Sequence, residues 1–426
     1  MAIIERNRGD KMKEAPKDKN FDHTLKLLKE GYYFIINRRE ALNTNIFQTK
    51  LIGKKMYCLS GRKQAELFYD NELFKRQGAA PSRVNKTLFG EGGVQGLDEG
   101  AHYKRKGMFM ELMGNQEMVE ISKLIYKYWL AYFDHISNRK NVNMYEASKK
   151  VFLQTACEWT GVPLKENESD KRASQLSNLF ENAASVGLKH WKSRRERIKA
   201  EKWIEELVHD IRNGNFNLDK DKALYKFSWF HDIDGKLLGE KVVAVEILNL
   251  LRPMTAVSVW VANIGLAMYQ FPEEAKKLQN GEEKKIMMFL QETRRYYPFF
   301  PFTVAKVKKD FEYNGFKFKK GTITLLDLYG TNKHPEDWSN PQQFIPERFE
   351  HWEQTPFNFI PQGGGSYDFG HRCAGEFVTM AMLKATMDIL IKHITYDIPE
   401  QSFDFNFNDI PAVPNDGFII NNVRFI

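Results

Sequence analysis

Residues 241–270, KVVAVEILNLLRPMTAVSVWVANIGLAMYQ, are apolar on every side of a helical projection. Such a helix must be enclosed, so the rest of the chain has to fold around it. Arg252-Pro253 breaks the pattern at its centre. The proline removes a backbone hydrogen bond and costs roughly 3 kcal/mol in a helix interior. It also frees the carbonyl of Asn249 and kinks the helix open where a ligand could approach. The arginine is a buried cation that needs a partner, unless its stem packs and its head snorkels to water. Glu246 and Arg252 interrupt the run and no aromatic belt flanks it, so it is expected to be a core helix and not a membrane span.

A chain of 426 residues, 42% apolar and 28% charged, can build a large globular core. The opening MAIIERNRGDKMKEAPKDKN is polar, which argues against a secretory signal or membrane anchor. Cys58, Cys157 and Cys373 are too few and too far apart for a four-cysteine zinc site or a disulfide framework. A soluble cytoplasmic protein is expected. The net charge of +8 favours anionic ligands or an acidic partner. Nucleic acid fits poorly, because the basic residues alternate with acids, as in HWKSRRERIKAEKWIEELVHDIRNGN. That segment reads as a solvated helix face, with a partner-docking surface as the lesser reading.

The chain is expected to form one mainly α domain over 1–426 with a minor β region, its first twenty residues (1–20) mobile. IFQTKLIGKKMYCLS alternates as a strand pair turning near Gly53-Lys54-Lys55. Helical periodicity then runs to about residue 295, interrupted most by LFGEGGVQGLDEG at 88–100. Short strands follow, with Asn314-Gly315 as a hairpin turn. The last helix places Phe377, Met380, Leu383, Met387, Leu390 and Ile394 on one face.

Cys373 stands in PQGGGSYDFGHRCAGEFVTMAM, between a glycine-rich loop and a periodic helix. The first N–H groups of that helix favour a thiolate, and the glycines permit close approach by a flat cofactor. The competing reading is a buried structural cysteine. No Gly-Lys-Ser/Thr follows the triple glycine, which excludes a phosphate loop. Upstream, QETRRYYP carries Glu292 and Arg295 on one helical face, and FIPERF adds Arg348. A lone Glu-x-x-Arg pair is usually a surface salt bridge. The three motifs in this order and spacing are not a common coincidence.

Over nearly its whole length the chain resembles the cytochrome P450 superfamily. The resemblance implies a P450 fold with haem b between a central distal helix and the cysteine loop. Cys373 is then the proximal iron ligand, and Glu292, Arg295 and Arg348 form a buried cluster behind its loop. His102 and Lys106, in GAHYKRKGMF, and His371 match positions that meet haem propionates. Two departures stand out. Ser366 replaces a usual phenylalanine of the cysteine loop, and Arg252-Pro253 replaces the usual distal acid–threonine pair. Neither arginine nor proline can relay protons.

The RP pair, TLFGEGGVQGLD, RRYYPFFPF and IPQGGG…HRCAGE resemble the bacterial fatty-acid peroxygenase branch. That branch contains fatty-acid α- and β-hydroxylases and alkene-forming decarboxylases. The resemblance implies hydrogen peroxide as co-substrate, a long-chain fatty acid as substrate, and no obligatory redox partner. Arg252 would pair with the substrate carboxylate, which would serve as the missing general acid–base group. Gln95 occupies the place held by glutamine in hydroxylases and often by histidine in efficient decarboxylases, beside Phe89. Hydroxylation at Cα or Cβ with minor decarboxylation to terminal alkenes is therefore expected. A conventional monooxygenase with an electron-transfer partner is one alternative, and a non-catalytic haem or fatty-acid sensor is another.

Overall fold

The apolar run folds as two helices in line, Glu240–Ala256 and Ser258–Gln270. They lie in a computed structural model that describes residues 13–19, 21–136, 141–183, 185 and 187–426. The stretch 240–270 is long enough to cross a membrane, yet its most apolar window is 89% buried in protein, so it is a core helix. Pro253 does not end the first helix, because its fixed φ is helical and only one backbone bond is lost. The interruption comes at Val257, where the N–H groups of Val257 and Trp260 each bond a carbonyl three residues back.

Helices Met144–Thr160, Ser169–Glu181 and Leu188–Arg212 pack around Glu240–Ala256. Met144–Thr160 shows how local sequence sets an element. Asn143 caps it by accepting a 3.0 Å hydrogen bond from the Glu146 N–H, and Gly161 ends it at φ +80. On the other side, Glu376–Lys392 packs against Asn115–His135 and Glu283–Tyr296. There Trp129 stacks on Phe133 at 5.1 Å, and its Nε1 donates to Thr386 Oγ1 at 3.1 Å. Burying a side chain the size of Phe133 is worth about 2–3 kcal/mol.

The last helix differs in detail from the sequence expectation. Met380, Leu383, Met387 and Leu390 are buried, but Phe377 is half exposed and rests edge-on against Tyr367 of the cysteine loop. Ile394 lies past the helix end, in strand Ile394–Asp397.

A five-stranded sheet runs in the order Ile46–Leu51, Lys54–Leu59, Ile323–Asp327, Phe302–Val307, Phe74–Lys75. The first pair turns at Ile52-Gly53, slightly before the expected place, with φ +51 and +71 as a tight hairpin needs. Asn314-Gly315 makes the second hairpin, at φ +50 and +74, between Phe311–Tyr313 and Phe316–Phe318. Residues 1–12 and 20 of the segment expected to be mobile lie outside the described residues. Of the remainder, Lys13 bridges to Phe316, Lys17 bridges to Gln48, and Ala15 is buried, so 13–19 is pinned to sheet.

Candidate active site

Glycines make the turns of the loop that presents Cys373: Gly363 and Gly365 stand at φ +90 and +87, and a Cβ on Gly364 would lie 2.5 Å from the Pro356 carbonyl. The loop is tied from several sides. Lys106 Nζ donates to the carbonyls of Gly370 and Arg372. Tyr69 Oη accepts from the Gly364 N–H at 2.8 Å, and Tyr367 Oη donates to the Ala374 carbonyl at 2.8 Å. Gln362 Nε2 stands 4.0 Å from the sulfur and 3.1 Å from Thr379 Oγ1. Protein surrounds Cys373, yet the residue is not fully buried.

Burial pushes the Cys373 thiol up, and Glu376 adds to that shift. The Gly375 N–H, Lys106 and Arg294 oppose it without reversing it. The helix start therefore does not by itself give a thiolate, contrary to the sequence expectation, because desolvation outweighs the nearby N–H groups. Coordination to a metal cation would remove the proton outright.

The structure brings Glu292, Arg295 and Arg348 together. Arg295 donates to both carboxylate oxygens of Glu292, at 2.7 and 2.8 Å, and Arg348 Nε donates at 3.2 Å. The remaining Arg295 donors reach the carbonyls of Pro341 and Gln343, both at 2.9 Å, which fastens the segment before the cysteine loop. Sequence reasoning missed the neighbouring Arg294. This residue reaches the loop directly, through Gln362 Oε1 at 2.8 Å and Glu376 Oε1 at 2.9 Å. Glu376 also accepts from Arg372 Nε at 2.7 Å.

His102, Lys106 and His371 gather at one edge of the loop. The two imidazoles meet at a tilt, their centroids 4.0 Å apart, and His371 Nε2 lies 3.6 Å from Asp98 Oδ1. Burial lowers His102 to about 3 and His371 to about 4, so neither ring is a cation at neutral pH. Lys106 is lowered to about 8, again mainly by burial, and its ammonium is spent on loop carbonyls. Arg76 was not anticipated. It is buried over the rings of Phe68 and Tyr69, and its Nη1 has no partner among the described residues.

Across from this loop, Arg252 is 6% exposed, which removes the snorkelling alternative. Its Nη2 donates to Asn249 Oδ1 at 3.2 Å, its Nε is unpartnered, and no carboxylate among the described residues pairs with it. Burial lowers its pKa to about 9, helped by the like charge of Arg197 and opposed by Cys373. It is still a cation at neutral pH. Gln95, on the short turn Val94–Gly96, accepts from Asn249 Nδ2 at 3.1 Å, so Asn249 joins it to Arg252. Phe89 packs with Leu88, Phe180, Ala183 and Ala256 in an apolar cluster one helical turn from Arg252. Arg197, another residue not anticipated, donates to the carbonyls of Leu88 and Phe89 at 3.2 and 3.4 Å and so holds that loop.

Asn249 also donates to Glu246 Oε2 at 3.0 Å. Glu246, whose carboxyl burial pushes up, accepts from Arg105 at 2.7 Å, and Arg105 pairs with the part-exposed Asp232. A line of polar groups thus runs from Arg252 toward the surface. Its signal was present in the sequence as polar residues spaced by three, Glu246, Asn249 and Arg252, on an otherwise apolar helix.

These residues fit a haem. A partly exposed cysteine stands within electrostatic reach of a buried arginine, glycines keep side chains out of the loop, and Arg76 offers a buried donor with no partner among the described residues for an anionic edge. Cys373 would hold the iron, and Arg76, His102 and His371 would be the groups available to bind the haem carboxylates.

A family model described as cytochrome P450 matches residues 286–418. The chain is 23% identical over 442 residues to β-amyrin 28-monooxygenase of Solanum lycopersicum, covering 92% of this chain and 89% of that one. Solved structures are nearer. Cytochrome P450EX alpha (CYP152N1), determined with myristic acid, is 44% identical at a TM-score of 0.94, covering 97% of this chain and all of that one. Cytochrome P450 OleT (the F79A mutant), in complex with arachidonic acid, is 34% identical at a TM-score of 0.93, with 97% and 99% covered. Sequence motifs, buried cysteine loop and these likenesses agree: the chain belongs to the cytochrome P450 superfamily of haem oxidoreductases, and is strongly similar to solved CYP152 members of it.

Proposed function

We propose that the protein is a hydrogen-peroxide-dependent hydroxylase of long-chain fatty acids, acting at Cα or Cβ, with minor oxidative decarboxylation to terminal alkenes. One observation carries this reading. Arg252 is a buried cation whose only protein hydrogen-bond partner among the described residues is a neutral amide. A charge in that setting is costly until an anion meets it, and a fatty-acid carboxylate is an anion of the right shape for the guanidinium fork.

Bound haem supplies peroxide activation and the oxidising power, with the Cys373 sulfur donating electron density to the iron. The chain supplies position. Arg252 binds the carboxylate and Asn249 steadies the guanidinium. Gln95, a neutral amide, can share hydrogen bonds but cannot titrate near neutral pH. Pro253 has neither hydroxyl nor N–H to relay a proton, so the substrate carboxylate fills the general acid–base role. Leu88, Phe89, Phe180, Ala183 and Ala256 offer an apolar wall for the alkyl tail. Holding the carboxylate beside the reacting centre makes the first two methylenes the nearest, so geometry sets the position of attack. Buried, unpaired thiols at Cys58 and Cys157 suit a reducing cytoplasm.

Incubating the haem-loaded protein with myristic acid and hydrogen peroxide, and identifying products by mass spectrometry, tests this. The 2- or 3-hydroxy acid is expected. Oxidation at the methyl end, or turnover with a reductase system but not with peroxide, would reject it and favour a conventional monooxygenase. A carboxylate-induced spectral change without product would favour a sensor.

A further inference from the structure

Helix Leu188–Arg212 begins with a face that none of the described residues covers. Leu188 is 88% exposed, Trp191 64% and Ile198 50%. On a helical projection these three share roughly a third of the circumference with Lys192, Arg195, Lys199 and Lys202. No acidic side chain falls within that arc between 188 and 202. Lys192 and Arg195 have no ion-pair partner among the described residues, whereas Lys199 is paired with Glu196 at 2.9 Å and Lys202 with Glu206, one turn further along the same face, at 3.8 Å. Leu188, Trp191, Lys192 and Arg195 also line a surface groove with Glu196 and Lys199.

Solvation explains the lysines but not the tryptophan and leucine held out in water beside them. A tryptophan and aliphatic side chains interleaved with cations, two of them unpaired among the described residues, are the composition of a helix lying at a lipid–water boundary. Anionic headgroups would meet the cations, and the chain's net charge of +8 adds attraction at longer range. An acidic protein surface would satisfy the charges but gives less reason for the apolar members.

We propose that this face, Leu188 to Lys202, docks the protein peripherally on an anionic lipid bilayer, with Leu188, Trp191 and Ile198 entering the boundary region. Chain continuity adds a reason that rests on the fatty-acid reading: Phe180 and Ala183, a few residues upstream, belong to the apolar cluster around Phe89. Docking would bring that part of the chain to the phase in which long-chain acids reside.

Co-sedimentation of the haem-loaded protein with vesicles tests the docking without any turnover. Vesicles of equal parts phosphatidylglycerol and phosphatidylcholine are expected to bind it at least about tenfold better than pure phosphatidylcholine, with loss of binding in high salt. The double variant Leu188→Ser with Trp191→Ser, and separately Lys192→Glu with Arg195→Glu, should each cut binding about tenfold at unchanged melting temperature. Phe21→Ser with Leu25→Ser removes the other strongly exposed apolar pair and should leave binding in place. Equal sedimentation with both vesicle types, indifference to the Leu188/Trp191 change, or loss only in the Phe21/Leu25 variant would overturn the proposal. So would capture of an acidic protein on this face without lipid binding.

Discussion

The cysteine loop and the helix that carries Arg252 differ in how their charges are satisfied. On the cysteine side the main buried ions meet counter-charges: Glu292 accepts from two arginines and the Ile345 N–H, and Arg294, though its Nε has no partner among the described residues, is shared between Gln362 and the Glu376 carboxylate. On the opposite side Arg252 has one amide partner and an orphaned Nε. Saturated charges hold a loop in one place, whereas an unsaturated one is poised for something the chain lacks. The first pattern belongs to structure and the second to binding.

Removing a partner on each side is the strongest way to break that contrast. Glu292→Gln leaves two buried arginines without their counter-charge and should cost about 3–5 kcal/mol in urea unfolding. Arg252→Ala should stay within about 1 kcal/mol of the parent, since it deletes a poorly paired buried charge. The same variant should weaken myristic-acid binding about a hundredfold, read from the spectral titration of the haem protein. If Arg252→Ala unfolded the protein and Glu292→Gln did not, the assignment of the two sides would be reversed.

Smaller changes sharpen the picture. Asn249→Leu removes the amide that joins Gln95 to Arg252 and should weaken acid binding about tenfold in the same titration. An unchanged affinity would mean that Arg252 is positioned by packing alone. Gln95→His puts a titratable ring in place of a neutral amide. It should raise the alkene-to-hydroxy-acid ratio a few-fold, measured by mass spectrometry, and a constant ratio would take this residue out of product control.

Much of the architecture was legible in the sequence because it rests on local rules. The enclosed helix followed from its periodicity, and Asn314-Gly315 announced its hairpin because both residues tolerate positive φ. Cys373, Glu292, Arg295 and Arg348 were legible as motifs. The connections between motifs were not. Arg294 and Gln362 look like ordinary polar residues until the fold sets them beside Glu376 and the sulfur. Arg197 comes from a segment far from the loop it holds, and no spacing rule reaches that far.

Placing an arginine and a proline inside an apolar helix was enough to require a buried, unconventional site, since each is expensive there and local chemistry states the cost. The fold alone decided what that cost supports. Whether a buried cation meets a protein carboxylate, open water or an empty position depends on contacts between distant segments. Among the described residues Asn249 is the only hydrogen-bond partner that reaches it.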